Sequence, residues 1–168
     1  TVTTEACNEY YQNAETISEE VKTQILKELE NLENRTSKKM GSLENPLLVS
    51  VRSGARASMP GMMDTVLNLG LNDEIVEHLA TITNKRFAYD SYRRFIQMFA
   101  DVVKGYDKSK FERLLDQIKK EKNASYDTDL TAEDMVEVTT RFKEVYKNIA
   151  GEDFPQDAKA QLIEAITA

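Results

Sequence analysis

Leu47-Leu48-Val49-Ser50-Val51-Arg52-Ser53-Gly54-Ala55-Arg56-Ala57-Ser58-Met59-Pro60-Gly61-Met62-Met63-Asp64-Thr65 differs from the sequence on either side of it. Leu47 to Val51 is an apolar run long enough for a buried strand, and it ends at an arginine that opens into small residues. This order predicts a strand end that presents a fixed cation beside free backbone N–H groups. Gly54 and Gly61 permit positive φ and close approach of a ligand, while Arg52 and Arg56, on either side of Gly54, can reach anionic oxygens. A phosphorylated ligand fits the pattern, and so does a tight turn whose arginines make surface ion pairs.

Outward from this stretch the chain becomes helical. On the N-terminal side, Thr4 is placed to cap a short helix through about Gln12. Ser18, followed by Val21, Ile25, Leu29 and Leu32, gives a helical stripe with acids in its first turn. Asn34 to Asn45 is polar, contains Gly41 and reads as a connector, and Pro46 steers the residue before it toward extended geometry. On the C-terminal side, Asp64 to Leu71 suits either a short helix or an extended edge. From about residue 72 a period of 3.6 takes over. Ile75, Val76, Leu79 and Ile82 mark one helix. Phe87, Tyr92, Phe95, Ile96, Phe99 and Val103 line a longer one that stops near Gly105. Phe111, Leu114, Leu115 and Ile118 follow Ser109, and Thr131 with Asp134 forms a capping box before Met135, Val138, Phe142, Val145 and Ile149. A last helix restarts after Pro155 and reaches Ile166. The expected fold is mainly α with a small α/β part, five helices from residue 72 onward packing as a helical subdomain on the α/β segment.

Composition narrows the function. With 168 residues the chain can bury a core without disulfides or a metal. Its single cysteine, Cys7, excludes an internal disulfide, and the absence of a long apolar run gives no indication of membrane insertion, so a cytoplasmic setting is expected. Asp and Glu number 29 against 22 Lys and Arg, a net charge of −7, which makes nucleic acid an unsuitable partner. An acidic chain can still bind ATP, because local arginines govern the site while net charge sets only the distant field. Cys7 has no base or metal-ligand partner nearby and reads as a small buried apolar residue. His78 reads as an ordinary surface or boundary histidine. With one of each, a structural zinc site is excluded.

Three long words carry a resemblance: the stretch from Leu47 to Thr65, Thr1-Val2-Thr3-Thr4-Glu5-Ala6-Cys7, and Arg86-Phe87-Ala88-Tyr89-Asp90-Ser91-Tyr92-Arg93-Arg94-Phe95-Ile96-Gln97-Met98. Together they closely resemble the nucleotide-binding domain of the pyruvate, phosphate dikinase family. Asp127 to Asp134 and Phe142 to Lys147 extend the likeness into the helical subdomain. The resemblance implies part of an N-terminal ATP-grasp-like domain that binds MgATP, in an enzyme converting ATP, phosphate and pyruvate to AMP, diphosphate and phosphoenolpyruvate. A swivelling domain would carry the catalytic histidine. Residues 1–71 would be a partial α/β ATP-binding subdomain, 72–157 the helical subdomain, and 158–168 a terminal helix leading back to the ATP-grasp part.

By the same resemblance Arg52 is the position that contacts the ATP phosphates, its planar and permanently charged fork holding developing charge during phosphoryl transfer. Ser53, Gly54 and Gly61 are expected to offer N–H or hydroxyl groups to phosphates, and Thr65 to lie near nucleotide or Mg²⁺. Arg56 is either a second phosphate clamp or a partner of Asp64. Met63, with Met59 and Met62, either covers the adenine ring or the facing domain, or fills a core gap. No catalytic residue and no metal ligand is expected in this chain. The family's glycine-rich lysine segment, its Mg²⁺-holding carboxylates, its phosphocarrier domain and its barrel have no counterpart here. The chain therefore reads as a piece of a longer protein, inactive alone, with the parent a homodimer through another domain and this part free to be monomeric. Two other readings stay open. One is a helical interaction or hinge module that contacts the swivelling phosphohistidine domain. The other is part of a related phosphoenolpyruvate synthase-type dikinase, although the Gly54 to Thr65 wording favours the first branch.

Overall fold

The computed structural model describes residues 1–53 and 65–168. Local side chains set most helix starts. Thr3, one residue before the expected cap, accepts from the Ala6 N–H and opens α1 (Thr4–Gln12). Ser18 accepts from Val21 N–H and opens α2 (Glu19–Thr36). The helix α2 runs two residues past Asn34, where the polar connector was expected to begin, and ends at Ser37 in a left-handed conformation. In the connector, Lys39 C=O accepts from Leu47 N–H, so Leu47 is buried in a loop rather than in a strand. The strand β1 therefore starts later than the apolar run and spans Val49–Arg52.

β1 pairs antiparallel with β2 (Thr65–Leu69), which decides between helix and extended edge for that stretch. Val49 faces Leu69, Val51 faces Val66, and Arg52 faces Thr65. Two residues of β2, Leu67 and Asn68, stand against the single Ser50 of β1. Asn68 adopts φ 62, a left-handed conformation that asparagine tolerates and that lets the extra residue bulge out. Gly70 then turns the chain at φ +107. A Cβ there would sit 2.9 Å from the Leu47 carbonyl, so only glycine lets the two backbones meet.

Helices follow in quick succession. Asn72 caps α3 (Asp73–Ile82) and Asn84 caps α4 (Lys85–Met98), which continues as a π-helical turn, Phe99–Val103. After α5 (Ser109–Glu121) and a 3₁₀ turn at Asp127–Asp129, the Thr131–Asp134 capping box opens α6 (Ala132–Ala150) as its spacing predicts. Asp157 caps α7 (Ala158–Thr167).

The core lies where α4 crosses α6, closed by β2 on one side and α7 on another. Phe154, in the link before α7, is its centre: its ring meets Phe95, Phe99 and Tyr146 edge-on at 5.5, 5.5 and 5.2 Å. Val66 and Leu69 bury the inner face of the hairpin against this body. Two expectations are corrected. Phe87 is exposed, because the buried face of α4 runs through Ala88, Tyr92, Phe95 and Phe99 while Phe87 shares its side with exposed Arg94. Cys7 is exposed as well, since α1 has no buried residue. Among the described residues no helix is long and apolar enough to cross a membrane.

Candidate functional site

Alternation along β1 decides which side chains reach solvent. Val49 and Val51 turn toward the helices, whereas Ser50 and Arg52 are exposed on the outer face. Arg52 and Thr65 form the last pair of the ladder, at the end of the hairpin where the chain passes from β1 to β2, with Cβ atoms about 5 Å apart for a directly opposed pair. Thr65 is half-buried and Ser53 is exposed. The sequence-expected residues Gly54, Arg56, Gly61 and Met63, together with Met59, Met62 and Asp64, lie outside the described residues.

Most other described arginines are committed, Arg113 to Ser109 Oγ among them, and of the rest only Arg35, on α2, is as unpartnered among the described residues as Arg52. Arg86 donates to the carbonyls of Leu130 and Asp127, at 2.8 and 2.6 Å. Arg93 is paired with Asp90 and Asp127, Arg94 with Asp90, and Arg141 with Glu121 and Glu137. Among the described residues, the Arg52 guanidinium makes no hydrogen bond or ion pair. It is thus a permanent positive charge with its donors uncommitted among the described residues, set on a strand whose inner face is packed. Two of its N–H groups can meet two oxygens of one phosphate in a single plane, which a lysine cannot do.

Among the described residues no three His, Cys, Asp or Glu side chains come together to hold a metal ion. His78 is half-buried on α3. A groove of about 480 Å³ between α2 and the start of α7, lined by Lys27, Glu30, Lys39 and Lys159, includes neither Arg52 nor Thr65.

Sequence reading missed the polar framework that holds the helices behind the hairpin. Arg93, 3 % exposed, donates to Asp90 and to Asp127 at 2.8 Å each. Burial alone would raise the Asp127 carboxyl, but the charges of Arg93 and Lys119 outweigh it and hold the group below the ordinary carboxylate value. Tyr92 donates to Asp73 at 2.9 Å, and the Lys143 ammonium holds both oxygens of the same carboxylate at 2.7 and 2.9 Å. Burial pushes the Tyr92 hydroxyl far above its ordinary value, so it stays a donor. The only local signal was three arginines in one otherwise amphipathic word, Arg86 to Arg94.

Comparison with known proteins bears on this strand end and on the helices behind it. The family described as pyruvate phosphate dikinase, AMP/ATP-binding domain, matches residues 1–103, which include β1, β2, α3 and α4. The chain is 58 % identical over 170 residues to pyruvate, phosphate dikinase of Clostridium symbiosum, covering 100 % of this chain and 20 % of that protein. It is 50 % identical to the chloroplastic pyruvate, phosphate dikinase of Flaveria trinervia and 48 % identical to chloroplastic pyruvate, phosphate dikinase 1 of Zea mays. Each match covers 100 % of this chain and 18 % of the relative. The chain thus spans about a fifth of the length of the curated relatives it matches. On the family match and these identities, the chain belongs to the pyruvate phosphate dikinase family, through its AMP/ATP-binding domain.

Proposed function

We propose that this chain is the part of a pyruvate, phosphate dikinase that presents Arg52 to the phosphates of MgATP. The observation that carries this reading is the exposed Arg52 guanidinium, uncommitted among the described residues, where the chain leaves β1 toward β2 inside the AMP/ATP-binding match. The parent enzyme would convert ATP, phosphate and pyruvate to AMP, diphosphate and phosphoenolpyruvate by way of a phosphohistidine on another domain. In that reaction Arg52 would neutralise charge on the β- and γ-phosphate oxygens as the bond between α and β breaks. Ser53, Gly54, Arg56, Gly61, Met63 and Thr65 complete the proposed nucleotide contacts. The ATP-grasp assignment, the division at residues 71 and 157, a homodimeric parent and a cytoplasmic setting belong to the same reading. A ¹⁵N-labelled sample of the chain titrated with MgATP tests it. Saturable shifts at the Arg52, Ser53 and Thr65 amides that vanish in Arg52→Ala support the reading, and shifts that persist in that variant contradict it.

A second reading has its own observation. Ile82, Phe87 and Tyr126 are 61, 52 and 72 % exposed, large apolar groups on the helical part that a solvated surface would not favour. They suit a docking face for the swivelling phosphohistidine domain. Phe87→Ala combined with Tyr126→Ala would then slow phosphoryl transfer to that histidine without weakening MgATP binding. Unchanged transfer would set this reading aside.

A further inference from the structure

Gln161, on α7, is a fully buried polar side chain, and each of its bonds goes to a backbone group of a loop. Its Oε1 accepts from the Gly70 N–H at 3.0 Å, and its Nε2 donates to the Leu71 carbonyl at 2.9 Å and to the Pro155 carbonyl at 2.7 Å. Both amide donors are used, so the carboxamide has one orientation. Gly70 and Leu71 lie immediately beyond β2. On the other side of Gly70, the absent Cβ lets the Leu47 carbonyl approach, so α7, the end of β2 and the lead into β1 are in register at this point.

The rest of the hairpin's seat is apolar. Val66 and Leu69 are buried against α4 and its neighbours, and such contacts resist separation but have little preference of direction. A three-bond carboxamide is directional. Leu69, next to this anchor, pairs with Val49, and Arg52 follows Val49 three residues later, about 10 Å along the strand from that pair. We infer that Gln161 is a positioning residue for Arg52: its carboxamide fixes where the β1–β2 hairpin sits on the helices and so where the guanidinium stands. The inference rests on the phosphate-binding reading of Arg52 for its functional consequence and on hydrogen-bond geometry alone for its structural one. A shift of about 1 Å in a group that orients a reacting phosphate is enough to slow a reaction roughly 100-fold.

Gln161→Glu keeps the shape and the acceptor but turns an oxygen toward Leu71 and Pro155, and the introduced carboxyl can donate to one of them only when protonated. Gln161→Asn keeps the amide and shortens it by a methylene, serving if the first variant does not fold. Thr139→Val removes a different buried side-chain hydrogen bond, between α6 and the Tyr89 carbonyl, and acts as the control. In the chain itself, the Arg52 and Thr65 amide resonances are expected to move in both Gln161 variants. In Gln161→Glu they should return toward wild type on acidification, and in Thr139→Val they should stay in place. Unmoved resonances in the folded Gln161 variants, or equal movement in the control, would overturn the placement. In the full-length protein, Gln161→Glu is expected to lower kcat/KM for ATP about tenfold or more at neutral pH and to cost nothing further in an Arg52→Ala background. Additive losses would overturn action through Arg52. If Arg52→Ala alone leaves ATP turnover intact, the phosphate reading has failed, while the resonances still decide what Gln161 places.

Discussion

Arg93 and Asp127 meet across 34 residues of sequence, Nη2 to Oδ2 at 2.8 Å, and the guanidinium so held is buried between α4 and the 3₁₀ turn. Removing the carboxylate leaves a buried cation with Asp90 as its remaining acidic partner. Asp127→Ala is therefore expected to destabilise the fold by about 1.5–3 kcal/mol in urea unfolding, the range for hydrogen bonds to charged groups. It should also loosen the Lys119 contact, whose Nζ lies 3.2 Å from the same carboxylate.

The same pair fixes a direction of pH dependence. Asp127 has a folded-state pKa below its unfolded value of about 3.9, so its contribution is complete above that value and is lost as pH falls through the lower folded one. Asp134, held low by the Thr131 hydroxyl and N–H, acts in the same direction. Melting temperature should fall as the pH drops below about 4, and Asp127→Asn should flatten that decline. An equally steep decline in the variant would contradict the assignment.

Two tyrosines should respond in opposite ways to loss of their hydroxyls. Tyr146 places its hydroxyl in the core with no hydrogen-bond partner among the described residues, so Tyr146→Phe is expected to be neutral or to stabilise by up to about 1 kcal/mol. Tyr92 donates to Asp73 and accepts from Gln156, so Tyr92→Phe is expected to cost about 1–2 kcal/mol. Paired thermal melts of the two variants give the comparison directly.

Gly70→Ala adds a methyl 2.9 Å from the Leu47 carbonyl at a φ that L residues rarely adopt. The expected loss is about 1–3 kcal/mol, with faster amide exchange at Val51 and Val66, the inner pair of the ladder. Exchange confined to α4 and α6 would show that the turn is not what joins the hairpin to the helices.

What the sequence made legible is what acts over three or four residues. Ser18 and the Thr131–Asp134 box cap as their spacing predicts, because a cap joins a side chain to an N–H two or three positions on. Thr65 to Leu69 could not be assigned, since five residues do not separate a period of 2 from one of 3.6. The contacts of Arg93 with Asp127, of Lys143 with Asp73 and of Gln161 with Gly70 span 34, 70 and 91 residues, distances over which no local pattern operates. For the site, the strand and the arginine at its end could be read directly. The pairing of Arg52 with Thr65 came only with the hairpin, and the phosphate assignment came from resemblance.

The most direct measurement is ATP-dependent phosphorylation of the full-length protein on its own histidine, comparing wild type with Arg52→Ala. Because Arg52 is exposed and holds no other described residue, the substitution should leave the melting temperature unchanged. The rate should fall about 100- to 1,000-fold, as when one charge-stabilising donor is removed from a transition state. A rate within about twofold of wild type in the folded variant would contradict the account.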